Sequence, residues 1–248
     1  MSRRYKNPPV IEALCDFRFV PSKPWDMTFP GLFYNEIKKQ FPEKEEETGF
    51  EFSFRSTSAG GVEQKFEKAF PKLKFYNAKK TALIQLLPDR LIINHLKPYP
   101  GWEQFKPVIF DNLKKYRKVL SPKGLRRIGV RYINEINFKA PAIKMETYFK
   151  FYPELPEALP QRHRSFKTIA DIPYNNEQDN LRLTLFPRLT KEPDTISIIF
   201  DLDYFIINSE AISSFEEVPN WIERAHTEVE KAFEACITDK TRKLFEEE

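Results

Sequence analysis

An α+β fold, with mainly antiparallel sheet covered by three main helices, is predicted by three features of this 248-residue chain. Alternation of apolar and polar residues recurs in short segments along most of the sequence. Three other segments step their apolar residues by three or four, the helical spacing. The connections between neighbouring strand segments are hairpin-length, which favours antiparallel pairing over βαβ crossovers.

The elements follow in order. Between Val10 and Val20, Ile11, Ala13, Cys15, Phe17 and Phe19 alternate with Glu12, Leu14, Asp16 and Arg18, the pattern of a half-buried strand. Phe29, Phe33, Ile37 and Phe41 then recur every fourth residue, with Leu32 filling the same stripe. This predicts a helix that the acidic run Glu43 to Glu47 ends in solvent. GFEFSFRS from Gly49 alternates again, and Gly60-Gly61 offers a turn before Val62 to Phe70. LKFYN leads into TALIQLL and RLIINHL, a hairpin joined at Pro88-Asp89.

A second helix spans Trp102 to about Leu120 on Trp102, Phe105, Ile109, Leu113, Tyr116 and Leu120. Pro107 marks either a kink or a later start, and SPKG ends the helix. The strand RRIGVRYINEINF, Arg126 to Phe138, sets Arg127, Arg131 and Glu135 on one face against Ile128, Val130, Tyr132 and Ile136 on the other. After Ala140-Pro141, YFKFYPELPEALP reads as a short strand, a turn and a helical turn. Strand signals return in SFKTIADIP, NLRLTLF and TISIIFDLDYFII. The last helix carries Val218, Ile222, Ala225, Val229, Ala232, Phe233 and Cys236 on one stripe, with helix-like residues continuing to Phe245. The order of elements suggests one α+β domain over residues 1–248, with a loose internal duplication of halves 1–140 and 141–248 joined near Pro141.

Composition bounds the function. At 41% hydrophobic and 15% aromatic, with 23 Phe, the chain can bury a bulky core. Seven glycines, none after Gly129, with no GxGxxG or GxxxxGK[ST], argue against a glycine-cradled phosphate site. His95, His163 and His226 lack HExxH spacing and no GxSxG elbow is present, so zinc-protease and serine-hydrolase chemistry have no support. Cys15 and Cys236 sit among apolar neighbours and read as buried thiols in a reducing compartment. The segment MSRRYKNPPV has no apolar signal-peptide core and no apolar run approaches 18 residues, so the expectation is a cytoplasmic protein without a membrane association.

A net charge of +4 is mild, but it is unevenly spread. Asn112 to Asn134 contains no acid and holds Lys114, Lys115, Arg117, Lys118, Lys123, Arg126, Arg127 and Arg131. Glu216 to Glu248 has ten acids against five bases. The basic window reads either as a footprint for phosphate groups or as a solvated helix face followed by strand edges.

The non-core faces of the strands carry the candidate site. Arg18, Arg127, Arg131, Glu135 and Arg182 form a ligand-binding set if their strands are neighbours, with arginine forks holding an anion and carboxylates orienting it. The competing reading is cross-strand salt bridging on a solvated face. The expected function is non-enzymatic binding of a nucleotide or nucleic acid, or of a partner protein. The alternative centres on Asp201-x-Asp203, where alternate strand positions put two carboxylates on one side. There they could share a divalent metal, as in a phosphohydrolase or nuclease.

Three stretches, NPPVIEAL at Asn7 to Leu14, RYINEI at Arg131 to Ile136, and WIERAHTEVEKAFEACITDKTRKLF at Trp221 to Phe245, resemble an uncharacterised, sporadically distributed prokaryotic family of about this length. The resemblance implies a prokaryotic origin and, from patchy distribution, a link to mobile elements or defence. It implies no activity, ligand or site residue.

Overall fold

A computed structural model describes residues 4–47, 50–56, 62–68, 72–161, 163–206 and 214–246, with backbone alone for 50–56 and 62–68. It is an α+β protein with one nine-stranded antiparallel sheet. The strands are β1 (Val10–Val20), β2 (Glu43–Glu47), β5 (Lys72–Tyr76), β6 (Ala82–Leu87), β7 (Arg90–Leu96), β8 (Gly124–Lys139), β9 (Thr168–Tyr174), β10 (Asp179–Arg188) and β11 (Thr195–Ile206). They lie in the order β2-β5-β6-β7-β1-β8-β11-β10-β9. A separate two-stranded sheet pairs β3 (Phe50–Ser56) with β4 (Val62–Lys68). Described helices are α1 (Phe29–Ile37), α2 (Trp102–Leu120), α3 (Met145–Tyr148), α4 (Val218–Cys236) and α5 (Asp239–Arg242).

The central pairs are β1 with β7 and β8, and β8 with β11, registered through Cys15↔Ile93, Cys15↔Val130 and Val130↔Tyr204. Because side chains alternate across the pleat, these pairs align Phe17, Ile128 and Leu202 with their neighbours on one side. There α2 packs against β7, α4 packs against β8 and β11, and α1 packs against α2. Phe33, Phe105, Tyr116, Trp221 and Phe233 come from the helices into this single core.

Several local expectations change. Glu43 to Glu47 is not merely a solvated helix end; it is the edge strand β2, fully exposed yet paired with β5. Lys72 and Lys74 reach Glu47 at 3.0 and 2.7 Å, so cross-strand charge complementarity offsets its poor strand propensity. α1 stops at Ile37, and Phe41 is buried from the turn beyond it while Leu32 is exposed. α2 runs through Pro107 from Trp102. The strand expected early in YFKFYPELPEALP is reduced to an isolated bridge between Phe149 and Ile237, following the one-turn α3. That bridge draws Ile237 into an extended conformation and ends α4 there. Thr238 then accepts from the Thr241 amide to start α5. The Gly60-Gly61 turn and the side chains of Phe52 and Phe54 lie outside the described residues. Phe75 is a core residue.

Candidate ligand-binding face

The strands carrying the charged residues are neighbours, and their non-core positions share the face away from the long helices. Asp16 of β1 is the hub. Arg90 of β7 meets it with two parallel bonds, Nε to Oδ1 at 2.7 Å and Nη2 to Oδ2 at 2.9 Å. Arg127 of β8 donates to Asp16 Oδ2 through Nη1 at 2.8 Å and to Asp203 Oδ2 of β11 through Nη2 at 3.2 Å. Arg18 approaches Asp16 at 3.7 Å.

One step along β8, Arg131 grips Asp201 through Nε at 2.7 Å and through Nη2. Farther along, Glu135 accepts from Arg188 Nη1 and Ser197 Oγ at 3.1 and 3.0 Å. Toward the β9 edge, Arg182 of β10 holds Asp171 bidentately at 2.8 and 2.9 Å, with Asn180 also donating to that carboxylate. Toward β6, the buried Asn94 donates to Glu12 and accepts from Gln85. The lattice therefore crosses from β6 to β9.

Gly129 makes the centre of this lattice passable. A Cβ there would stand 3.1 Å from Arg127 Nη1 and 3.3 Å from Asp203 Oδ1, so the missing side chain lets Arg127 lie over β8 toward Asp203. The same guanidinium sits 4.5 Å from the centroid of the Phe205 ring, a cation–π contact that helps to hold it flat.

In several of these pairs the two signs of charge occupy different depths. The Asp16 and Asp201 side chains are 5% and 11% exposed, whereas Arg18, Arg131 and Arg182 are 44%, 39% and 50% exposed. At Asp16, Asp201 and Glu135 the carboxylates form a lower layer and the guanidiniums an upper one, whereas Asp171 is about as exposed as Arg182 and Asp203 as Arg127. Burial raises the Asp203 pKa above its ordinary value, against the pull of Arg127 and Arg131. The hydrogen bond to Asp201 strengthens the hold of Arg131 on its proton, so the upper layer stays charged.

Asp201 and Asp203 do share a face, as their spacing requires, but both oxygens of Asp201 are engaged by Arg131 and Oδ2 of Asp203 by Arg127. Among the described residues, no group of three or more His, Cys, Asp and Glu side chains is arranged to hold a metal ion.

The basic window divides between two faces. Lys115 binds Asp111 and Gln40, Lys118 binds Glu36, and Arg117 lies over Phe215, so these α2 residues brace the helix against its surroundings. Only the β8 end of the window reaches the opposite face. Sequence reasoning also missed Arg90, Asp171, Arg188 and Gly129 as members of the lattice. For Arg90 a signal existed, because alternation along RLIINHL puts it on the side opposite Leu91 and Ile93.

No protein-family model matches the chain, and no curated protein is significantly similar to it.

Proposed function

We propose that this is a binding protein whose charged sheet face receives an anionic ligand, with a nucleotide or nucleic acid as the ligand class. The observation that supports it is the layering of the face. Asp16, Asp201 and Glu135 lie beneath and orient the more exposed guanidiniums of Arg90, Arg131 and Arg188, so over these pairs the outermost charge is positive although the ion pairs balance. A guanidinium fixed by a bidentate carboxylate retains donors on its other edge, and its orientation entropy is spent before ligand arrives. Arg131 and Arg182 are the principal contacts, with Arg18 and Arg127 beside them and Glu135 positioning Arg188.

The test is titration of a fluorescent single-stranded oligonucleotide and of a nucleoside triphosphate at two salt concentrations. Affinity that falls with salt, and falls by about tenfold in Arg182→Ala, is expected from loss of an arginine–phosphate contact. Arg131→Glu would leave Asp201 beside a second acid, so the paired variant Arg131→Gln with Asp201→Asn removes the contact without stranding a buried charge. Salt-independent binding, or wild-type affinity in both variants, would sink the reading. Retention of a stoichiometric partner protein by the same face would replace the anion with an acidic protein surface.

We also propose that the chain is an internally duplicated single domain. In support, the order β5-β6-β7-β1 is mirrored by β9-β10-β11-β8 about the β1–β8 pair, and a 19-residue helix follows each set. This supports a junction at residues 121–123, before β8, rather than near Pro141. The cytoplasmic, reducing setting is part of the same proposal, supported by two free thiols, Cys15 and Cys236.

A further inference from the structure

A cleft of about 440 Å³ opens beside the C-terminal end of α2, at the far end of β1. Its floor is aromatic: Phe19 and Tyr116 are stacked with centroids 4.3 Å apart, and Phe29 lies beside them, all three buried. Trp25 forms a half-buried wall and meets Phe29 edge-on at 5.8 Å. Prolines 21, 24, 88 and 122 form much of the rest of the lining, and their fixed φ angles make the walls stiff. A pre-formed apolar cleft of this size falls in the range that binds ligands.

The polar groups of the cleft decide what fits. The Tyr116 hydroxyl and the Trp25 indole N–H have no hydrogen-bond partner among the described residues, although Tyr116 is only 1% exposed. Burial, and the nearby charge of Asp89, push the Tyr116 pKa up, so the hydroxyl stays a neutral donor. Lys23 adds a third donor at the rim, its ammonium 4.6 Å from the Phe29 ring centroid. Asp89 at the lining accepts from Arg126 at 3.3 Å through Oδ2 and from the Phe19 amide at 2.8 Å through its carbonyl. The cleft therefore offers aromatic faces and unspent donors.

The complementary ligand is apolar in body and rich in carbonyl acceptors. Consecutive prolines have that composition, and their polyproline II helix is ordered before binding, which lowers the entropic cost of docking. We propose that this cleft binds a proline-rich peptide segment, with Tyr116 and Trp25 donating to its backbone carbonyls.

The full chain is titrated with a decaproline peptide while the tryptophan indole N–H resonances are followed by NMR; Trp25→Phe identifies the Trp25 signal. Saturable movement of that signal is expected, with little change at Trp102 and Trp221. Tyr116→Phe keeps the ring and removes one donor, so binding should weaken by about five- to tenfold, the loss of one hydrogen bond. Arg182→Ala should bind the peptide as the wild type does, which separates this site from the anionic face. An unmoved Trp25 signal at millimolar peptide, an equal response to a glycine–serine peptide of the same length, or undiminished affinity in Tyr116→Phe would each overturn the proposal.

Discussion

His226 illustrates how a single residue acquires its properties from packing. Its ring stacks on Trp102 with centroids 4.1 Å apart, and Nδ1 lies 3.0 Å from the Tyr132 hydroxyl, which in turn lies 3.0 Å from that of Tyr99. Burial pushes its pKa down from 6.5 to about 4, with Glu223 pulling the other way and Lys106 reinforcing the depression. The unfolded chain therefore binds a proton that the folded chain refuses between these values. Stability from neutral His226 is present above pH 6.5 and is lost as pH falls toward 4, on the order of 3 kcal/mol in full. Denaturant unfolding of wild type and His226→Phe across this window should give converging stabilities as pH drops; parallel curves would refute the assignment. In the sequence His226 directly follows Ala225, a member of the apolar stripe of its helix. Its partners, Tyr132 and Trp102, are 94 and 124 residues distant in the chain and carry no local sign of the contact.

Among elements, α4 depends on an acid hidden at the start of β10. Asp179 is fully buried and accepts from Trp221 Nε1 at 2.9 Å and the Tyr204 hydroxyl at 3.1 Å, with Arg224 at 3.5 Å. These bonds tie the first turns of α4 to β10 and β11. Asp179→Ala would leave two buried donors unsatisfied and should cost about 2–3 kcal/mol, read as a lower denaturation midpoint. If instead Asp179 only decorates the strand, the midpoint will not move. α4 itself was legible, because its stripe of apolar residues has helical spacing over 19 residues. Its end at Cys236 was not, since the residues to Phe245 suit a helix equally well and the break comes from the bridge to Phe149. β2 was obscured for a similar reason: EKEEE has no apolar alternation, and its strand state rests on lysines contributed by β5.

For the whole molecule, the β1–β8 pairing joins segments more than a hundred residues apart, and Phe17 and Ile128 meet across it in the common core. Among the described strands, neither side of that seam has another partner to cover its backbone edge. Residues 1–123 alone should therefore lack a cooperative transition. Mixing them with residues 124–248 should restore one, measured by circular dichroism; cooperative unfolding of the first fragment by itself would argue against a single core.

Alternation, a property of a few consecutive residues, let the sequence by itself determine which side of its strand each of Arg18, Arg127, Arg131, Glu135, Arg182, Asp201 and Asp203 occupies. Helical spacing, turn residues and composition likewise determined α2, the hairpin at Pro88-Asp89 and the apolar stock of the core. Tertiary structure alone decided that β1 lies between β7 and β8 and that β11 follows β8, and hence that Asp16 collects Arg90 and Arg127 while Asp201 falls to Arg131. Side-chain direction is set by the local pleat, whereas the choice of neighbouring strand is made by collective burial of both apolar faces, and no short stretch of chain encodes it.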